Sequence, residues 1–288
     1  LPSASFWALL DFYKGKKILL VDEKFSLENL EISLDKNVLP LVLNSAQLNE
    51  TTLLALLQTS GANITLCATR LSKGNEDAIA LLNAVFERKF NKKAILVAFD
   101  KENLEKALKE CEFIDDLRFD LPQHPMLKRE HFAKRLLHIV ENDDLGVVES
   151  GEWLRYGQVR VNETNCTLCL ACVGACNVGA LVADSKDNSL KFNASLCTTC
   201  GYCVASCAEK DTIELERSGI ELKASYFHFH TLAHDELFAC MECGKEFATK
   251  KAVERVANLM KDKFAGNERK LKTLYCCAEC KARLMIFS

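Results

Sequence analysis

Cys166-Thr-Leu-Cys169-Leu-Ala-Cys172-Val-Gly-Ala-Cys176 and Cys197-Thr-Thr-Cys200-Gly-Tyr-Cys203-Val-Ala-Ser-Cys207 share one spacing, C-x2-C-x2-C-x3-C. Together the two runs offer eight thiolates, the ligand set of two cubane [4Fe-4S] clusters. The repeat extends upstream of the cysteines, where Val159-Arg-Val-Asn162 before the first run aligns with Leu190-Lys-Phe-Asn193 before the second. The middle of the chain therefore encodes a duplicated strand–loop–helix unit, each copy built to wrap a metal cube.

Three cysteines spaced by two residues lie on a tight loop whose backbone N–H groups turn toward the sulfurs. The fourth begins a short helix that points away from its own loop, and in such runs it ligates the other cluster. That assigns Cys166, Cys169, Cys172 and Cys207 to one cluster, and Cys197, Cys200, Cys203 and Cys176 to the other. Small residues at Ala171, Gly174, Ala175, Gly201 and Ala205 allow the backbone close to the sulfurs. The pattern resembles bacterial two-cluster ferredoxins, and Cys176-Asn-Val-Gly-Ala-Leu181 resembles that family's C-P-x-G-A-[IL] segment. The family's proline after each fourth cysteine is replaced by Asn177 and Ala208, a change that bears on potential and stability rather than on ligation.

The chain has 15 cysteines, and a second constellation accounts for four more. Cys240-Met-Glu-Cys243 and Cys277-Ala-Glu-Cys280 are two C-x2-C hooks, the spacing of a four-thiolate tetrahedral site, most simply structural Zn2+. A rubredoxin-like mononuclear iron is the alternative; glycine follows the first hook, but Lys281 follows the second. Between the hooks, Val253, Val256, Leu259, Met260 and Phe264 give Thr249 to Phe264 the period of an amphipathic helix laid across the site. Phe238 and Phe247 flank the first hook and are expected to pack around it. Cys276 has the wrong gap for a hook and reads as a spare thiol. Cys67 and Cys111 read as small buried hydrophobes.

Upstream, Lys16–Val21, Val38–Leu43, Ile64–Ala68 and Ala94–Phe99 read as buried strands. Helical periodicity runs over Glu50–Gln58, Glu76–Phe90, Leu104–Lys109 and Arg129–Glu141, the last after a break at Asp120-Leu-Pro-Gln-His-Pro125. The alternation predicts an α/β layer with a parallel sheet. Neither G-x-G-x-x-G nor G-x4-G-K-[ST] occurs, so no nucleotide loop is present. Ser72-Lys-Gly-Asn-Glu76 has the form of a helix cap, with anion binding at the helix start as the lesser reading. His124 and His131 are expected on the surface or on a helix face. His228 and His230 would share a face if they lay on a strand, although four cysteines already satisfy the neighbouring metal site. Leu41 to Phe90 resembles the small hydrogenase delta-subunit fold, which implies a docking or scaffold domain, here retaining only Cys67 near the third strand.

The resulting division is an α/β domain over 1–145, an α+β two-cluster ferredoxin-like domain over 146–222 and a small four-cysteine zinc-binding tail over 223–288. The formal net charge of −3 conceals an asymmetry: acidic residues exceed basic ones up to residue 221, and the order reverses beyond it. Each cube with its four thiolates adds a charge of about −2. An acidic middle section of this kind suits a basic patch on a redox partner. Nucleic acid is disfavoured, because Arg is sparse in the basic tail. No run of apolar residues is long enough to span a membrane. The start at Leu1 is expected to reflect truncation or processing; within the chain there is no apolar or twin-arginine signal. Free cysteines at this density suit a reducing cytoplasm. The order of these parts, with the tail motif F-x-C-x-x-C-G-K-x-F at Phe238–Phe247, resembles the ferredoxin-like iron–sulfur proteins associated with formate dehydrogenases in anaerobic and microaerophilic proteobacteria. The resemblance implies a non-enzymatic carrier of single electrons between a larger oxidoreductase, such as a formate dehydrogenase, and a second carrier. A redox sensor, or an assembly or docking factor, is the alternative.

Overall fold

The computed structural model describes residues 10–25, 32, 34–121 and 126–286. His124 and the end of the break at Pro122–Pro125 lie outside them. The chain divides into two compact units: residues 1–157, 194–198 and 217–228 make one, and residues 158–193, 199–216 and 229–288 the other.

In the first unit, strands β1 (Lys17–Asp22), β2 (Val38–Leu43), β3 (Ile64–Cys67) and β4 (Ile95–Ala98) form one sheet, and β5 (Val147–Val148) pairs separately with Ile220–Glu221. The order is β2-β1-β3-β4, and every pairing is parallel. Apolar runs such as Ile18–Val21 suit this arrangement, because helices cover both faces of a parallel sheet and strand side chains are buried on both. The intervening helices are α1 (Glu50–Ser60), α2 (Lys73–Phe90), α3 (Lys101–Glu110) and α4 (Lys128–Val140). Side chains of Asn49, Ser72 and Asp100 accept from the N–H three residues on and cap the first three. Each such cap contributes about 1 kcal/mol.

Helix α1 is buried all round, so its polar side chains require internal partners. Glu50 takes Lys128 at 3.2 Å and the Tyr156 hydroxyl at 3.3 Å. Gln58 exchanges two bonds with Arg135, donating to its carbonyl at 2.9 Å and accepting from its guanidinium at 3.0 Å. His131, expected on the surface or on a helix face, lies on the inner face of α4 and is buried; burial, with the Arg135 cation beside it, pushes its pKa down to about 4. Lys134 and Glu130 pair on the solvated side of the same helix. Cys67 and Cys111 are buried, and burial raises both thiols, Cys67 to about 11.

In the second unit, each cysteine run sits between two strands, and the strands pair crosswise. β6 (Gln158–Val161), before the first run, pairs antiparallel with β9 (Ile213–Glu216), after the second. β7 (Leu181–Asp184), after the first run, pairs with β8 (Ser189–Phe192), before the second. The two halves make matching bonds: Asn162 N–H donates to Thr212 O at 2.7 Å, and Asn193 N–H to Ala180 O at 2.9 Å. The tail continues this unit. Its strand His230–His234 joins the outer side of β8 with a bulge between Thr231 and Ala233, and a hairpin follows, Leu237–Ala239 with Glu246–Thr249. Among the described residues no helix is long and apolar enough to cross a membrane.

Candidate metal centres

The crosswise pairing decides where the fourth cysteines go. Because β6 pairs with β9, the chain leaving the second run returns alongside the chain entering the first. One cavity is accordingly lined by Cys166, Cys169, Cys172 and Cys207, with Val161, Leu190 and Ile213 as apolar wall. The pairing of β7 with β8 acts equally on the other side, where Cys203 lies in electrostatic range of Cys200 and Cys176. Cys197 is buried just after the short turn Ala194–Leu196, its N–H donating to Ala194 O at 3.1 Å. Cys169 and Cys200 are exposed.

Both loops bend through the left-handed region at corresponding positions. Leu168 has φ 52° and Leu170 φ 60° in the first, Thr199 has φ 47° and Gly201 φ 85° in the second. For a leucine or threonine this conformation costs about 1–2 kcal/mol. It turns N–H groups onto sulfur: Leu168 N–H donates to Cys166, Val173 N–H to Cys172 and Val204 N–H to Cys203. Burial raises these three thiols, Cys172 to about 11, and their cysteine neighbours raise them further. Mutually repelling buried thiols are stable as thiolates only around a cationic core, which an iron–sulfur cube supplies.

The tail holds the first loop in place. Thr249 Oγ1 donates to Thr167 O at 2.8 Å, and Lys251 Nζ donates to Glu163 O at 2.7 Å. Arg255 pairs at 3.1 Å with Glu209, whose carboxylate also accepts from Thr167 Oγ1 and lines the cavity. None of these residues stood out in the sequence. A signal was available, since Thr249 precedes an evident helix and has the form of a cap.

The helix it caps is α7, Lys250–Met260, following two short helices at Ala171–Ala175 and Tyr202–Ala205 in the cysteine runs. It is shorter than the expected Thr249–Phe264, and its buried positions are Val253 and Ala257, while Val256 and Leu259 are exposed. It packs on the hairpin, and it carries Lys251 to Glu163 and Arg255 to Glu209. The inward side chain of Ala257 is too small to dominate a periodicity argument, so the larger exposed residues set the wrong face.

Cys240, Cys243, Cys277 and Cys280 converge, with all four Sγ atoms within 4.8 Å of one another. Cys243 and Cys277 stand 3.8 Å apart. A tetrahedral metal with bonds to sulfur of about 2.3 Å separates its ligands by about 3.8 Å, so the donor set fits Zn2+, and iron of similar bond length equally. The first hook closes through Gly244 at φ 72°, with Gly244 N–H donating to Cys240 O at 2.8 Å. The second opens the helix Ala278–Ile286. Burial raises Cys240, but the N–H groups of Cys277, Cys243 and Glu242 outweigh it and bring the thiol down to about 6. Burial and the neighbouring sulfurs push Cys280 to about 12, against Arg283, which donates to its Sγ at 3.0 Å. Phe238 makes edge contacts with Phe247 and a tilted one with Tyr275, an aromatic base beside both hooks. Cys276 is buried with Cys240, Cys277 and Cys280, and its Sγ donates to Lys272 O at 3.3 Å. Among the described residues no histidine joins the group: His228 follows a short turn at Ala224–Phe227, outside any strand, and the neighbouring strand begins at His230.

Residues 158–208 match a family profile described as a 4Fe-4S dicluster domain. Its span contains both cysteine runs. A search of curated proteins gives no match to the chain. The chain thus carries a ferredoxin-like iron–sulfur domain, which supports at least one iron–sulfur cluster and an electron-transfer role. The four-cysteine group is suited to binding a metal.

Proposed function

We propose that this protein carries single electrons through two [4Fe-4S] clusters between a larger oxidoreductase and a second carrier. Each cluster, when bound, supplies a one-electron couple. The observation that carries the reading is the cavity in which Cys207, from the second run, joins Cys166, Cys169 and Cys172 of the first. Cys176 with Cys197, Cys200 and Cys203 would hold the other cluster. The chain's own part is to supply the thiolates, to spread their charge over inward N–H groups, and to keep water away with Val161, Leu190 and Ile213. Exposed Leu170, Tyr202 and Val204 give an apolar rim beside Cys169 and Cys200, suited to brief contact with a partner. The four-cysteine site would hold zinc as a structural staple. A cytoplasmic location rests on the density of free cysteines, and a formate dehydrogenase as partner on the sequence resemblance.

Anaerobic metal analysis tests this: about eight irons, about eight acid-labile sulfides and about one zinc per chain are expected from the ligand sets. Four irons would remove one cluster. The sensor or docking alternative draws support from the tail being tied to the first loop through Thr249 and Arg255. Rapid, reversible electron exchange with a dehydrogenase favours the carrier. Partner binding that changes with redox state, without turnover, favours the sensor.

A further inference from the structure

The amino-terminal sheet has a feature that the iron–sulfur reading does not use. After β1 the chain passes to β2 on one side, then crosses to β3 on the other, so the connections diverge between β1 and β3. Ligands of open parallel sheets bind outside the strand carboxyl ends at such a switch point. A crevice of about 670 Å3 lies there, lined by Asp22 at the end of β1, by Arg70, Ser72 and Lys73 after β3, by Phe99 after β4, and by Lys24. That volume falls in the ordinary range of small-molecule sites.

We infer that this crevice binds a small organic phosphate that also carries a free hydroxyl group. Two independent observations point to the two ends of such a ligand. The first is a modest excess of positive charge, since Lys24, Arg70 and Lys73 line the crevice against Asp22 and Glu76. The 18-residue helix α2 begins at the crevice, and its start favours anions. A capping box between Ser72 and Asn75 occupies two N–H groups there, leaving those of Lys73 and Gly74 without an intrahelical acceptor. Lys73 is engaged by Glu76 at 2.9 Å, but Arg70 and Lys24 make no ion pair among the described residues. A phosphate suits this surround better than a carboxylate, because its greater charge is shared among more donors.

The second observation is Asp22. Its side chain is 2% exposed and lines the crevice, yet Oδ1 has no hydrogen-bond partner. A buried carboxylate oxygen left bare is costly, and a donor from the ligand relieves that cost. A phosphate cannot serve, since it meets a carboxylate with like charge. The ligand must therefore present a hydroxyl to Asp22 while its phosphate lies toward Arg70. Phe99, 53% exposed, adds an apolar wall. Phosphate-loop glycines are absent, so recognition falls to side chains and to the first turn of α2. This inference is independent of the clusters.

Calorimetric titration of the full, anaerobically prepared chain with ribose 5-phosphate, ribose and inorganic phosphate tests it. Ribose 5-phosphate is expected to bind with millimolar or tighter affinity and at least about tenfold more tightly than either fragment, the worth of one added charged hydrogen bond. Asp22→Ala, which deletes the acceptor, should remove that advantage while sparing inorganic phosphate. Arg70→Ala, at an exposed position where folding is not at risk, should weaken both phosphates about tenfold. Absence of heat with ribose 5-phosphate, equal affinity for it and inorganic phosphate, or indifference to Arg70→Ala in a chain of unchanged melting temperature would overturn the proposal.

Discussion

Replacing Thr249 with valine removes one hydroxyl that serves two bonds. Its Oγ1 donates to the carbonyl of Thr167 at 2.8 Å in a buried setting. The same atom accepts from Ala252 N–H at 3.4 Å as the cap of α7. Loss of such a cap costs about 1 kcal/mol, and the long bond places it no higher. A buried carbonyl deprived of its donor costs about 1–3 kcal/mol. The partners differ, so the two effects combine to about 3 kcal/mol, directed at the loop that positions Cys166 and Cys169. If iron leaves the first cluster through local opening of this loop, its rate rises on the order of 100-fold. The assay is anaerobic transfer of iron to a ferrous chelator, with zinc release followed separately. Thr249→Ser keeps the hydroxyl and should stay within about threefold of wild type, a difference below 1 kcal/mol. Equal rates for valine and wild type, or serine as fast as valine, would refute the idea that the tail secures the loop.

The crosswise ligand assignment predicts that Cys207→Ser and Cys166→Ser remove the same cluster signal in electron paramagnetic resonance, whereas Cys203→Ser removes the other; loss of one common signal from Cys207→Ser and Cys203→Ser would contradict it. Arg283 donates to Cys280 Sγ at 3.0 Å, and removing an outer partner of a metal ligand costs 10–100-fold in affinity as an order of magnitude, so Arg283→Ala should weaken metal retention at the four-cysteine site by roughly that factor while acid-labile sulfide stays unchanged. His131 has its pKa lowered by burial, from 6.5 to about 4, so the unfolded chain binds its proton first as pH falls. The stabilising effect of keeping it neutral is complete above about pH 6.5 and disappears as pH drops toward 4. Between pH 7.5 and 5.5 the loss is about 1.4 kcal/mol, from the Henderson–Hasselbalch difference of the two pKa values. Chemical denaturation at both pH values, with His131→Gln flattening that part of the difference, checks it.

Much of this architecture was legible because it rests on short-range rules. All four parallel strands fall within a residue of the apolar runs that announced them, and α2 gains only Lys73–Asn75, the turn its Ser72 cap adds. The convergence of two C-x2-C hooks followed from spacing alone. What escaped depended on three-dimensional neighbours. His131 is buried on the same side of its helix as Arg135, which reaches Gln58, a partner 77 positions away. Arg255 meets Glu209 for the same kind of reason, and neither residue carries a local signature. Asp22 looked like an ordinary acidic residue at a strand end; only its burial without a donor sets it apart.

The two cysteine loops explain why a metal core belongs to this fold rather than merely occupying it. Each loop places its first bend at the second residue after the leading cysteine, where the repeat has Leu168 and Thr199, neither suited to a left-handed backbone. The next bend is eased by glycine only in the second loop, at Gly201, while Leu170 bears it in the first. With three non-glycine residues at about 1–2 kcal/mol each, the loops carry several kcal/mol of strain that nothing local returns. The thiols work in the same direction, since burial and mutual proximity disfavour their ionised forms. Thiolates bound to a cationic core reverse the second effect outright, and N–H groups aimed at sulfur make the bent backbone useful instead of merely strained. On the proposed ligand assignment, folding of this domain and loading of its clusters form one linked equilibrium, as in other proteins whose ligand set is assembled only in the folded state. The tail contributes by restraining the loop that lacks the glycine: Thr249 and Lys251 reach the first run and its immediate flank, and Arg255 holds Glu209, whose carboxylate accepts from Thr167.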